Sequence, residues 1–277
     1  MMRQTIRAAH SPDSDDAFMF YALAQKKIDT SPFEMVDELS DIETLNQAAK
    51  TGKYEITALS IHGYAYVADR YVLLNSGASM GEGYGPMVVA RGGIPASRLP
   101  DLLVAVPGER TSAFLALKIA EPRIRYRVMP FDQILEAVEN GQVDAGLLIH
   151  EGQLTYQNHR LQEVIDLGDW WMKETGLPLP LGGNAIRRDL GGAVIRRLSD
   201  LLEQSVRYAL DHRDEALAYA LKFGRGLDQQ QADRFVGMYV NQRTLDYGDD
   251  GREAVQLFLD RGFEAGVIPK RVVVEFV

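Results

Sequence analysis

A chain of 277 residues that is 46% hydrophobic and 25% charged can bury two modest cores but little more, so two lobes fit it better than one large sheet. Its formal net charge of -9 repels phosphate backbones and anionic lipid, which argues against nucleic acid or a membrane surface as partner and leaves a small-molecule ligand. The absence of cysteine excludes disulfides, thiolate catalysis and sulfur-ligated metals, and no window reaches the roughly 20 apolar residues of a membrane span.

Along the chain, short β-rich runs alternate with helical patterns, the signature of a parallel or mixed sheet covered by helices. Thr5 to Ala9 is the first predicted strand. Ser11-Pro12-Asp13-Ser14 then turns, and Asp15 and Asp16 fall in the first turn of a helix that carries Phe18, Tyr21 and Ala22 inward. The polar strand passes straight into acidic residues, with no basic segment followed by a long apolar one, so a cytoplasmic location is expected. Phe33 to Val36 reads as a second strand, and Ser40-Asp41-Ile42-Glu43 has the form of a capping box opening a helix that stops near Gly52. Glu55 to Ser60 and Tyr71 to Leu74 supply further strands.

Gly81-Glu82-Gly83-Tyr84-Gly85-Pro86, leading into the apolar Met87-Val88-Val89-Ala90, suits a hinge between lobes. Beyond it, Leu102 to Val106, Arg125 to Met129, Ala145 to Ile149 and Glu163 to Leu167 would build a second sheet, with helices near 112 to 120 and 132 to 140. The return crossover is expected near Leu181 to Ile186. After it, Leu198, Leu201, Leu202, Ser205, Tyr208 and Ala209 repeat at helical spacing, and amphipathic helices that pack back on the first lobe run to the C-terminus. The pattern predicts two α/β lobes joined by two crossovers: 1-86 begins the first lobe, 87-183 forms the second, and 184-277 returns to the first, mostly as helix.

Common catalytic motifs are missing. The glycines at 81, 83 and 85 lack the full G-x-G-x-x-G spacing and precede a strand, and the five histidines show no zinc-ligand spacing, so neither a dinucleotide nor a metal is expected. What remains is polar residues at strand ends, where open α/β sheets hold their ligands. His150 follows the apolar run Ala145 to Ile149 and should emerge beside the cleft, either as a general base or as a structural histidine held by a backbone carbonyl. Thr111 and Ser112 open a helix after a strand and turn, a place that serves a ligand carboxylate or simply caps the helix. Ser60 closes a strand in the same situation. His10, Ser11, Asp15 and Asp16 end the first strand and could face the cleft, although the two aspartates also suit plain compensation of the helix dipole. Trp170 and Trp171 could wall a planar ligand or belong to the core.

The run Ala9-His10-Ser11-Pro12-Asp13-Ser14-Asp15-Asp16-Ala17-Phe18-Met19-Phe20-Tyr21-Ala22-Leu23 resembles the opening of the 1,4-dihydroxy-6-naphthoate synthases of the futalosine route to menaquinone. Thr57-Ala58-Leu59-Ser60, Gly83-Tyr84-Gly85-Pro86, Leu148-Ile149-His150-Glu151, Tyr239-Val240-Asn241 and Leu245-Asp246 extend the likeness over nearly the whole chain. Its most specific part is Asp166-Leu167-Gly168-Asp169-Trp170-Trp171 followed by Thr175-Gly176-Leu177-Pro178-Leu179-Pro180. The resemblance implies a type II periplasmic-binding-protein-like fold used as a cytoplasmic carbon-carbon lyase, which converts cyclic dehypoxanthine futalosine to 1,4-dihydroxy-6-naphthoate without a cofactor. It matches His150 to the family's proton acceptor, and Thr57, Ala58, Leu59 and Ser60, with Thr111 and Ser112, to segments that contact substrate. Some members have lysine where Ala58 stands and open with Ser-Pro-Cys-Pro-Asn-Asp where this chain has Ser-Pro-Asp-Ser-Asp-Asp, which changes the turn beside the cleft.

The expected partner is a small anionic aromatic substrate whose ring lies against Trp170 and near Ser11, with neither nucleic acid nor membrane involved and a homo-oligomer left open. Two other readings stand beside this one. Chorismate dehydratase of the same pathway shares fold and size but lacks the Trp-Trp block, and a solute-binding or sensor protein would close on an anion without chemistry.

Overall fold

The structure is a computed structural model that describes residues 4–224 and 227–277. In chain order its strands are β1 (Gln4–His10), β2 (Phe33–Leu39), β3 (Ile56–Ser60), β4 (Tyr71–Leu73), β5 (Ser79–Gly81), β6 (Met87–Arg91), β7 (Leu103–Val106), β8 (Arg125–Val128), β9 (Ala145–Leu148), β10 (Leu161–Asp166) and β11 (Leu179–Arg187). The helices are α1 (Ser14–Ala24), α2 (Ile42–Ala49), α3 (Ile61–Tyr64), α4 (Ser112–Ala120), α5 (Ile134–Glu139), α6 (Gly152–Thr155), α7 (Leu167–Thr175), α8 (Gly192–Asp211), α9 (Arg213–Ala220), α10 (Gln229–Tyr239), α11 (Gln242–Leu245) and α12 (Gly248–Glu264).

Two mixed sheets result. The first runs β2-β1-β3-β11-β4, with β5 also on β11; β1 is parallel to β2 and β3, and β11 is antiparallel to its neighbours. The second runs β10-β6-β9-β7-β8, with β7 parallel to β8 and β9. β3 and β9 are buried at every position, as strands covered on both faces are. β3 brings its cleft residues at its carboxyl end and β9 just past its own, where the two sheets face each other.

Strand β11 corrects the expected return. Residues 181 to 186 lie inside a strand paired with β3 and β4, so the boundary at 183 falls within the first sheet and the chain crosses back earlier, through 167 to 178. The two crossovers touch: a Cβ on Gly168 would collide with the Tyr84 carbonyl, so the residue there must be glycine for the segments to pass.

Local signals are met with two differences. Asp41, not Ser40, caps α2, its carboxylate accepting from the Thr44 amide at 3.0 Å, because the Ser40 amide is already bonded to the His10 carbonyl at 3.1 Å. Helix α1 was expected to show one apolar face, yet Ala17 to Leu23 are all buried. The outer side of α1 is covered by α8, α9 and α10, so it needs no polar face.

Candidate active site

Between the sheets lies a cleft lined from the first lobe by the ends of β1 and β3, by β11 and by α10, and from the second by the start of α4 and the segment after β9. Met19, Ile42, Leu181 and Phe235 give it apolar walls. The polar groups converge on His150.

His150 follows β9 in a left-handed turn with φ 53°, a conformation that β-carbon sterics disfavour and that re-aims the imidazole after the strand. Its Nδ1 stands 2.9 Å from Asp13 Oδ2, and its ring packs edge-on against Phe131 at 5.1 Å. Asp13 accepts the Nδ1 proton and thereby selects the tautomer that leaves Nε2 for a ligand. Asp13 is itself the N-cap of α1, accepting from the Asp16 amide at 3.3 Å, while the Asp16 carboxylate accepts from the Ser11 amide at 2.8 Å. The tight turn at Ser11 to Ser14 thus holds three acidic side chains over one imidazole.

The charges are unequal. Burial works to lower the His150 pKa, but the carboxylates of Asp13, Glu151 and Asp16 outweigh it and the value lies above that of an ordinary histidine. Burial would raise Asp13; the His150 imidazolium overrides it and holds the carboxyl below the usual carboxylate range. Burial, then repulsion by Asp13, pushes Asp16 up to about 7. Burial and the charges of Asp13 and Asp16 push Asp15 well above the usual range.

The structure brings most of the predicted residues together. Ser11, Ala58, Leu59, Ser60, Thr111, Ser112 and His150 all line the cleft. Thr111 both lines it and caps α4, its hydroxyl accepting from the Phe114 amide at 3.2 Å, so the two readings of that position coexist. Ser112 Oγ donates to the Leu181 carbonyl and accepts from the His62 amide at 3.3 Å. Ser60 is held by Asn46, whose Oδ1 accepts the Ser60 amide at 3.0 Å.

Two predicted residues lie elsewhere. Thr57 is fully buried, one residue deeper in β3 than those that reach the cleft, its hydroxyl donating to the Ala58 carbonyl at 3.0 Å. Trp170 is half-buried on α7 beside Trp171, and Trp171 packs on Phe258 and donates to the Pro178 carbonyl at 3.1 Å. Trp171 is core, Trp170 packs half-buried beside it, and neither is among the residues that line this cleft. His10 and His62 are also buried outside the cleft: His10 Nε2 stands 2.9 Å from Asp37, and burial lowers His62 to about 4, which keeps it neutral.

Sequence reasoning missed Asp13, Gln153, Asn184, Phe235 and Tyr239 as cleft residues. Tyr239 donates to Gln153 Oε1 at 2.7 Å, joining α10 of the first lobe to α6 of the second. Asp13 showed only as a helix-start acid, a signal that does not separate a cap from a cleft residue, and the others come from elements whose position only the fold reveals. Asp13, Asp15 and His150 each offer a ligand atom within 4.8 Å of one another, a donor set of the kind that holds a divalent cation.

Two α/β lobes linked by two crossovers around a ligand-sized cleft define a periplasmic-binding-protein-like fold. The alkanesulfonate-binding protein of Xanthomonas axonopodis pv. citri shares it, with a TM-score of 0.71 at 12% identity over 99% of this chain and 97% of that one. A crystal structure of a protein from Archaeoglobus fulgidus is far more similar, with a TM-score of 0.92 and 46% identity over 95% of this chain and 98% of that one. The family model described as menaquinone biosynthesis matches residues 6–264, and the chain belongs to that family. Among its relatives, the 1,4-dihydroxy-6-naphthoate synthase of Thermus thermophilus is 44% identical over 91% of this chain and 92% of the relative. That of Streptomyces coelicolor is 37% identical over 97% and 96%. No helix among the described residues is long and apolar enough to cross a membrane.

Proposed function

We propose that this chain is a cytoplasmic lyase that converts cyclic dehypoxanthine futalosine to 1,4-dihydroxy-6-naphthoate, with His150 Nε2 as the base. The observation that carries the reading is the His150 imidazole in the cleft, its Nδ1 held 2.9 Å from the Asp13 carboxylate. The names of the Thermus and Streptomyces relatives support the reaction.

The roles follow from charge. The aryl carboxylate of the substrate docks at the start of α4, against the positive helix end and its free amides beside Thr111 and Ser112, whose hydroxyl protons are committed to the Gly108 and Leu181 carbonyls. The fused ring lies against Met19, Ile42, Leu181 and Phe235. His150 then removes a proton next to a carbonyl, Asp13 stabilises the imidazolium that forms, and carbon-carbon cleavage and aromatisation follow.

The test is to incubate the purified protein with cyclic dehypoxanthine futalosine, without added metal or nucleotide, and to follow 1,4-dihydroxy-6-naphthoate by chromatography. Product is expected. Tight binding without turnover would replace the enzyme with a carrier or sensor, and turnover of chorismate alone would move the chain to the dehydratase of the same pathway.

A further inference from the structure

Three glycines line the cleft, Gly77, Gly182 and Gly183, and the fold accounts for two of them. Gly77 has φ 87°, and a Cβ on it would meet Asn184 Nδ2 at 2.2 Å. On Gly183 a Cβ would stand 2.2 Å from the Tyr247 hydroxyl. Gly182 has no such reason. A Cβ on it would meet only two atoms within 4 Å, the Leu59 carbonyl oxygen at 3.6 Å and Ser79 Cβ at 3.8 Å, both ordinary contacts with the flanking strands β3 and β5. Its backbone is not left-handed, so the shift in pairing just before it on β11 does not call for glycine either. Glycine inside a strand weakens the strand, and one that the fold does not require marks a place where another molecule comes close.

Gly182 adjoins the start of α4. Its register partner on β3 is Ser60, and the carbonyl that precedes it, that of Leu181, accepts from the Ser112 hydroxyl. Strands pair with Gly182 on both sides, yet part of its surface is exposed, and the residue lines the cleft. That surface is therefore a bare patch of sheet face open to a ligand. A planar ring can rest on such a peptide at van der Waals distance, whereas a methyl group would stand higher by about 1.5 Å, one carbon-carbon bond, and lift it.

We propose that Gly182 serves the ligand and not the fold: the carboxylate-bearing ring of a planar aryl carboxylate rests on its backbone, and a side chain there would displace the ring. This deepens the reading above, and rests on it for the carboxylate at the start of α4 and the aryl ring next to it. One residue then sets the depth of the cleft beside the anion site.

The probe is 2-naphthoate, a stable planar aryl carboxylate, titrated by calorimetry into wild type, Gly182→Ala and Gly182→Val, with urea unfolding of the same preparations. Wild type should bind it. Gly182→Ala should bind it about ten- to hundredfold more weakly, the range by which one intruding methyl disturbs a packed contact, and Gly182→Val more weakly still. The unfolding midpoint of Gly182→Ala should equal or exceed that of wild type, because the methyl fits the fold and a flexible strand residue is replaced. Unchanged affinity in Gly182→Ala would overturn the ring contact. A lowered midpoint, or failure of that variant to fold, would return the glycine to the fold and overturn the proposal equally. Failure of wild type itself to bind 2-naphthoate would sink the docking at α4 and this inference with it, whereas binding that the methyl leaves unchanged sinks the inference alone.

Discussion

The imidazole of His150 and the carboxylate of Asp13 come from opposite lobes, and each sets the other's charge. Asp13 raises the His150 pKa, so free base appears only as pH climbs past the ordinary histidine range, and kcat/KM is expected to rise with pH along an acid limb placed above that range. Asp13→Asn keeps an acceptor for Nδ1 and removes the largest charge, leaving only Glu151 and Asp16 to oppose burial, so the pKa falls. The acid limb should therefore move to lower pH, while the maximal rate falls by at least about tenfold because the imidazolium loses its counter-charge. An unmoved limb in a pH-rate profile would separate the two residues. His150 was legible in the sequence from its place after an apolar strand. Asp13 was not, because a Ser-Pro-Asp-Ser turn looks the same whether its acid only caps a helix or also reaches across a cleft.

At the level of elements, the start of α4 combines a cap and a ligand site in adjacent residues. Thr111 supplies the cap to Phe114, whereas Ser112 reaches the Leu181 carbonyl. Thr111→Ala should lower unfolding stability by about 1 kcal/mol, the usual loss for a threonine cap, as measured by urea unfolding; an unchanged midpoint would mean that Thr111 does not cap α4. Alternation of strand and helix was legible across most of the chain, down to α8, whose buried Leu198, Leu201, Leu202, Ser205 and Ala209 follow the predicted spacing. The full burial of α1 was not, since its outer cover begins at Gly192, far downstream. Thr57 and Ala58 illustrate the limit of a resemblance: they are neighbours in one matched segment, and only Ala58 reaches the cleft.

Across the whole molecule, residues that line the cleft make three of the links between lobes, beside contacts outside it such as those of Arg110 with Glu43 and Asn46. Asp13 meets His150, Tyr239 meets Gln153, and Leu181 meets Ser112, so the arrangement that aligns the base also closes the lobes. A protein held this way should open when a link is cut. Tyr239→Phe removes one neutral hydrogen bond, roughly a fivefold change in a closed-to-open ratio, and X-ray scattering of the ligand-free variant should give a larger radius of gyration than wild type; identical values would mean the lobes are held by other contacts. The crossover near Gly81 to Pro86, between β5 on the first sheet and β6 on the second, was legible from its glycines. The return was misplaced because Leu181 to Ile186 reads equally well as a connector or as a central strand, and pairing with β3 and β4 settles it as a strand. The Trp-Trp block, the most specific part of the resemblance, proved to be packing: Trp171 fills the core against Phe258 instead of touching the cleft.

His150→Ala tests the mechanism most directly, with substrate affinity and turnover measured on the same preparation. Removal of the base should lower kcat by about a hundred- to ten-thousandfold and leave the dissociation constant of cyclic dehypoxanthine futalosine nearly unchanged, since Nε2 acts on the reaction and not on docking. Turnover at the wild-type rate would show that the imidazole above Asp13 is not the base.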